Sequence, residues 1–364
     1  MFLLMIGNGM QGTLLGIRGE IEGFSSLEMS IIMSAYFAGF LGGSRMAPRM
    51  IRRVGHVRVF AALASLISAV MILYPTFADP WIWTLGRVLI GFCFSAVYVT
   101  AESWLNDAAV SLAITPILLS ISPVPAFDTT KPMTLRELFH VSPLGCVGMF
   151  LLGGVFAAQF GMAPVYGTEA QLSIAQISTF VSTFFIGAVL LQYPIGWLSD
   201  RFDRRLLILA VAVIGTVGSI MGLALGGNFG LLLASAFIVG GMSNPLYSLL
   251  LAHTNDFLDH DDMAAASGGL VFINGLGAVA GPLIVGALME RVGPGGFYMF
   301  TAVLFAVLVG YAGYRMTQRA TIAVEATGAY VAMSQATMTP VAMEIAQEYA
   351  IDVELEAENP ADAA

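Results

Sequence analysis

Long apolar stretches alternate with short polar breaks along most of this 364-residue chain. A helix that crosses a bilayer needs about 20 mostly apolar residues. Stretches of that kind occupy 1–17, 27–46, 57–77, 81–105, 141–163, 173–198, 206–226, 230–252, 264–289 and 295–314, which predicts ten spans. The first is short for a full crossing. Segment 110–121, "VSLAITPILLSI", is too short to cross as a straight helix and reads as re-entrant, interfacial or a remnant. The long internal polar break is 122–140, "SPVPAFDTTKPMTLRELFH", whose prolines, threonines and charges read as a linker. It divides an N-terminal bundle (1–121) from a C-terminal six-helix bundle (141–319), and an acidic tail (320–364) follows.

Composition strengthens the membrane reading. Hydrophobic residues make up 57% of the chain and charged residues 11%, against about 25% charged in soluble domains. The formal net charge of −9 comes from the tail, which carries eight acids and no Lys or Arg from residue 320 onward. Residues 1–319 hold 15 basic and 16 acidic side chains, so no basic footprint for nucleic acid exists. Cys93 and Cys146 lie in apolar runs and imply no disulfide framework. Met1 opens on "MFLLMIGNGM" with no basic n-region, which speaks against a cleaved signal peptide.

Basic residues set the expected orientation. Arg45, Arg49, Arg52, Arg53, Arg58, Lys131, Arg136, Arg201, Arg204, Arg205, Arg315 and Arg319 all fall on one side of a ten-span chain. That side is expected to be the cytoplasm of a bacterial inner membrane, with both termini inside. The same loops expose an internal repeat. "RMIRRVGHVR" (49–58) follows the second span, and "DRFDRRLL" (200–207) follows the second span beyond the linker, with Gly55 and Asp203 in register. The halves match upstream of this register point. Downstream the first half is 46 residues shorter, about two helices. The chain therefore reads as a six-plus-six repeat whose first half lacks its fifth and most of its sixth helix, between Asn106 and Val110.

The stretch "GWLSDRFDRR" (196–205) resembles the signature loop of the Major Facilitator Superfamily, G-x-x-x-D-R-x-G-R-R, through Gly196, Asp200, Arg201, Arg204 and Arg205. Asp203 replaces the second glycine. In the first-half copy Pro48 stands for the leading glycine and Arg52 for the aspartate, while Arg53 and Gly55 are kept. "RVLIGFCFSA" is similar to the family's R-x-x-x-G motif through Arg87 and Gly91. "AESWLND" (101–107) and "AASGGLVFINGLGAVAGPLIVGALM" (265–289) resemble an uncharacterised bacterial branch, the YcaD-like proteins. The resemblance implies an all-α integral membrane fold of two bundles, here about ten spans (4 + 6). It also implies alternating access to one central site, with the signature loop latching the cytoplasmic ends.

Several residues are candidates for chemistry. Arg87 lies six residues into its span, roughly 9 Å from the start. A charge at that depth either snorkels to the headgroups or binds an anionic group or coupling carboxylate. Glu102, on the same helix, is a surface acid or a proton site. Asn8, Gln11 and Asn244 are the favoured cavity-lining polar residues, and Pro245 beside Asn244 frees a backbone carbonyl within its span. Tyr247, with Tyr36 and Tyr98, faces substrate or packs the core. Gly277, Gly281, Pro282 and Gly286 form a G-x-x-x-G pair with a kink, which reads as close helix packing. The similar antiporter pattern belongs to a different helix of the family, so no antiport follows. "HTNDFLDHDD" (253–262) has no fixed ligand spacing, and no phosphate loop, nucleophile elbow or zinc pattern occurs. No enzyme, metal or cofactor is expected. The function expected is secondary transport of a small solute, with proton or ion coupling as one option. The alternatives are a transporter-derived receptor or scaffold acting through the tail, or a truncated, inactive transporter. Nothing in the sequence specifies an oligomer.

Overall fold

The computed structural model describes residues 2–117, 133–258, 260–318 and Tyr330. Most of the linker and all of the acidic tail except Tyr330 lie outside the described residues. Among the described residues there is no strand. The helices are α1 (Phe2–Ile21), α2 (Ser26–Val54), α3 (His56–Thr76), α4 (Pro80–Ile117), α5 (Leu135–Val141), α6 (Pro143–Ala157), a π turn (Ala158–Met162), α7 (Ala163–Glu169), α8 (Ile174–Ser199), α9 (Arg204–Leu225), α10 (Phe229–Asn255), α11 (His260–Val292) and α12 (Gly296–Gln318).

Eight of these stretches are long and apolar enough to cross a membrane: α3, α4 as Pro80–Trp104, α6 through α7, α8, α9, α10, α11 as Ala265–Val292, and α12. The other two expected spans are also helical, as α1 and α2. They fall outside the eight because Asn8, Gln11 and glycines dilute α1, and Glu28, serines and glycines dilute α2. Of segment 110–121, residues 118–121 lie outside the described residues and the rest is helical. The α4 helix runs on through it to Ile117. No glycine or proline interrupts Trp104–Thr115, so nothing local stops the helix.

Local chemistry fixes the helix starts. Ser25 with Glu28, Thr134 with Glu137, and Ser173 with Gln176 are capping boxes for α2, α5 and α8. At Gly55 the backbone turns from α2 into α3 with φ 86°, a conformation that favours glycine. Asp203, at the corresponding place in the second half, caps α9 by accepting from the Arg205 N–H at 2.9 Å.

Packing repeats between halves. In the first, α4 packs on α2 and α3; in the second, α10 packs on α8 and α9. The second half adds two pairings, α6 with α11 and α9 with α12. The α6–α11 crossing is glycine-lined. A Cβ on Gly277 would stand 1.9 Å from the Phe150 carbonyl oxygen, and one on Gly153 the same distance from that of Asn274. Gly281 is 2.8 Å from Gly154 O by the same measure. Such contact between backbones needs residues without side chains.

The halves meet where α2 lies along α11 and α1 against α7. The Ser34 hydroxyl donates to Val279 O at 2.6 Å, and Ser26 donates to the Glu169 carboxylate. Gly286 leaves room for Ser30, whose Cβ would be 2.3 Å from an added methyl. The Arg45 guanidinium lies over the Phe272 ring at 3.8 Å.

Candidate functional site

The π turn gives the second half its irregular centre. It breaks the span Pro143–Glu169 just before Pro164 and carries Gln159 and Phe160. A π turn within a membrane helix displaces the backbone and re-aims its side chains. Gln159 accepts from the Ser243 hydroxyl at 3.2 Å. Phe160 faces the other half and stands 5.9 Å from Tyr36 and 6.2 Å from Phe37, ring centre to ring centre.

Between the halves lies a cavity of about 50 Å³. Its walls are Tyr36, Phe37, Phe40, Phe156 and Phe160, with Ser44 and Asn274 as polar members. Asn274 donates from Nδ2 to Met149 O at 2.9 Å, which fixes its amide. Both bundles contribute walls, as an alternating carrier requires of a central site.

Behind Tyr36, inside the first bundle, is a dense polar cluster. Asn8 Nδ2 donates to the Tyr36 hydroxyl at 3.0 Å and to the Tyr98 hydroxyl at 3.2 Å. Arg87 is fully buried, at 0% exposure. Its guanidinium lies 4.7 Å from the Tyr36 ring centre, and Nη2 donates to Met33 Sδ at 3.2 Å. Nε and Nη1 find no hydrogen-bond partner among the described residues, nor do either amide atom of Gln11, the Tyr74 hydroxyl or the Ser95 hydroxyl. Gln11 and Tyr74 face each other closely enough for a long, poorly aligned hydrogen bond. Of the two readings of Arg87, snorkelling places the guanidinium at a surface, and the structure places it in the interior.

Magnitudes decide how satisfied this cation is. A guanidinium stays protonated in proteins. An unpaired charge taken out of water costs several kcal/mol even after relaxation. A cation–π contact returns about 2 kcal/mol when desolvated, and a thioether is a weak acceptor. Among the described residues no carboxylate lies within ion-pair distance of Arg87. The cluster is short of one negative charge.

The charges of the signature loop divide into an exposed and a buried set. Asp200 caps the C-terminus of α8 and is exposed. Arg201, also exposed, stacks 3.9 Å over Trp197 and donates to its carbonyl at 3.1 Å. Arg204 is buried and forms an ion pair with Asp256 at the end of α10, each side chain 3% exposed. Arg204 also donates to Ser199 Oγ at 3.3 Å and Ala252 O at 3.4 Å. Arg205 donates from Nη2 to Asp203 at 3.4 Å. Asp256 sits at a helix C-terminus and Arg204 at a helix N-terminus, each facing the helix-dipole end of its own sign. Paired, each offsets the other's unfavourable position. Asp256 was not singled out in the sequence; its spacing from Arg204 carries no local pattern.

Gly196 serves a contact that sequence reasoning missed. An added Cβ would stand 2.6 Å from the Tyr330 ring. Gln192 Nε2 donates to the Tyr330 hydroxyl at 3.0 Å and to the Ser248 hydroxyl at 3.2 Å. Burial pushes the Tyr330 phenol up to about 12, so it stays neutral. Of the remaining candidates, Glu102 is half-buried on α4, roughly 22 Å along the helix from Arg87. Asn244 is half-buried and Tyr247 fully buried on α10. The structure brings Asn8, Gln11, Tyr36, Tyr98 and Arg87 together; Glu102 lies one turn beyond Tyr98 on α4 and far from Arg87, and Asn244 and Tyr247 sit on α10.

The family model described as Major Facilitator Superfamily matches residues 145–343, more than half of the chain. An uncharacterised MFS-type transporter of Yersinia pestis is 22% identical over 337 residues, covering 80% of this chain and 87% of the relative. The uncharacterised MFS-type transporter YcaD of Escherichia coli is 22% identical over 338 residues with the same coverage. Among solved structures, the nucleoside transporter NupG superposes with TM-score 0.61 at 14% identity, over 86% of this chain and 95% of NupG. Its D323A mutant gives 0.63 at 13%, over 86% and 96%. At that identity the likeness is one of fold. On the family match, this chain belongs to the Major Facilitator Superfamily of non-enzymatic membrane transporters.

Proposed function

We propose that the protein is a secondary transporter that moves a small solute by alternating access through the cavity between its halves. One observation carries this reading. The cavity is walled by both bundles, and one half backs it with buried polar groups that have no hydrogen-bond partner among the described residues. Proton or ion coupling is compatible with the site, with Glu102 and Arg87 as the charged groups available. The signature loop would act as the latch between conformations through the Arg204–Asp256 pair, with Gly196, Asp200 and Arg201 around it. The distribution of arginines supports a bacterial inner membrane location with both termini in the cytoplasm.

The first half is proposed to lack the counterparts of α11 and α12. Two observations support this. The alignment to the Yersinia relative runs over 337 residues but draws on 80% of 364, about 291, so about 46 positions face no residue of this chain. In addition, among the described residues α1 and α3 show no extensive pairing equivalent to α6–α11 and α9–α12. A scaffold reading has one observation in its favour, the seating of Tyr330 from the tail beside the signature loop.

Two experiments test the proposal. Solute flux into proteoliposomes is expected, and it should fall at least tenfold in Asp256→Asn. Flux unaffected by that change would remove the latch, and no flux for any solute would favour the scaffold. Orientation is tested by Phe202→Cys, an exposed position. The native cysteines are buried and give little background. A membrane-impermeant thiol reagent added to intact cells should leave residue 202 unmodified.

A further inference from the structure

We infer that the solute is a monocarboxylic acid with an apolar or aromatic body, its carboxylate taken by Arg87 and its body by the aromatic cavity between the halves. The inference rests on the transporter reading and names the substrate class for the same site.

Three features lead to it. First, the cluster around Arg87 is short of one charge, and a monoanion supplies one. Two buried guanidinium nitrogens have no hydrogen-bond partner among the described residues, the Gln11 amide and the Tyr74 hydroxyl face each other beside them, and together these groups offer donors to carboxylate oxygens. Second, the cavity wall combines five aromatic rings with Leu41, Val271 and Ala278, and Ser44 and Asn274 are its polar members beside the Tyr36 hydroxyl. Asn274 already spends a donor on Met149 O. A polyhydroxylated solute would leave its hydroxyls unpaired there, whereas an apolar body would not. Third, the two regions share a boundary. Tyr36 lines the cavity with one face and lies against Arg87 with the other. Met33, the second contact of Arg87, reaches the π turn, where a Cβ on Gly161 would be 3.1 Å from Met33 Cβ. Methionine repacks readily because its thioether chain is flexible. Rotation of Met33 and Tyr36 would join the cavity to the guanidinium and enlarge it beyond its present volume of about 50 Å³, as an aromatic body requires, and an arriving carboxylate would replace the weak sulfur acceptor. Asn8 holds the Tyr36 hydroxyl and so sets the resting position of that partition.

The experiment measures binding to the purified full chain in detergent, by ligand-induced change in intrinsic fluorescence. Trp83 packs against Tyr74 at 5.8 Å, which places a reporter beside the site. Phenylacetate and octanoate are compared with their amides, which match them in shape and lack the charge. The carboxylates should bind at least roughly 30-fold more tightly than the amides, the scale expected when a buried charge pair is lost. Arg87→Met should abolish that difference. Arg87→Lys, which keeps the charge but not the planar fork, should retain part of it. Equal affinities for acid and amide in the unchanged protein, no saturable binding of any probe, or a preference that survives Arg87→Met each overturn the inference. Comparing acid with amide needs no variant, so misfolding of Arg87→Met leaves it decidable. Proteoliposome flux separates the two readings. Carboxylate-selective binding without flux sinks transport and keeps the anion site; flux of neutral solutes untouched by Arg87→Met does the reverse.

Discussion

The turn between α2 and α3 and the turn between α8 and α9 occupy the same place in the two halves, yet their arginines live in different surroundings. In the first, Arg49, Arg52, Arg53 and Arg58 are exposed and have no ion-pair partner among the described residues. In the second, Arg204 and Arg205 are buried, with carboxylates beside them. One composition therefore serves two purposes. Exposed arginines hold a loop in water and near anionic headgroups at little structural consequence. Buried arginines tie helix ends together, and the fold depends on their partners. The wider halves differ in the same direction. Only 28% of the most apolar stretch of α3 is buried, against 39% for its counterpart α9, because α9 also packs on α12.

The largest effect that would break this comparison is expected from Arg204→Ala. It strands Asp256 as an uncompensated charge and should destabilise the protein by about 3–5 kcal/mol, read from thermal unfolding in detergent. The double change Arg204→Met with Asp256→Leu sharpens the point. It removes both charges and should recover most of that loss, while flux should still fall, as the proposed latch requires. Gly55→Ala comes next, at about 1–3 kcal/mol, because a side chain at φ 86° is strained. Arg52→Ala and Arg53→Ala should stay within about 0.5 kcal/mol. A cost near that of Arg204→Ala would show that the first turn is also a clamp.

A finer prediction concerns Gly196, whose position in the first half is taken by Pro48. Gly196→Ala should displace Tyr330, and the phenol should then titrate near its ordinary value of about 10 instead of about 12. A fluorinated tyrosine at 330 followed by NMR reads this. The sign is set by burial. A phenol whose ionisation is raised on seating holds its seat below the free value and loses it as pH rises through the seated value. No change in titration on Gly196→Ala would mean that Tyr330 is held by Gln192 alone.

The helices were legible because their signal is a bulk property. Twenty apolar residues in a row have few other solutions in lipid, where every backbone group must be paired internally. The Gly277–Gly281 spacing likewise announces a close crossing. The site was legible only in its members. Asn8, Gln11 and Arg87 stand out as polar groups in apolar spans, but nothing in their spacing says that α1 and α4 bring them together beside Tyr36. Glu102 stood out equally and lies about 22 Å away along its helix. Asp256 and Tyr330 were hidden for the opposite reason. An aspartate at a helix end and a tyrosine in a tail are ordinary until a partner from elsewhere in the chain meets them.

The sequence by itself determined the solvent, the helical architecture and the repeat, because hydropathy and helix signals act over neighbouring residues. Only the tertiary structure decided which charges are paired, which arginine is left without a carboxylate, and which rings wall the cavity. Those are contacts between residues tens to hundreds of positions apart, and the energy of a buried charge depends on what surrounds it in space.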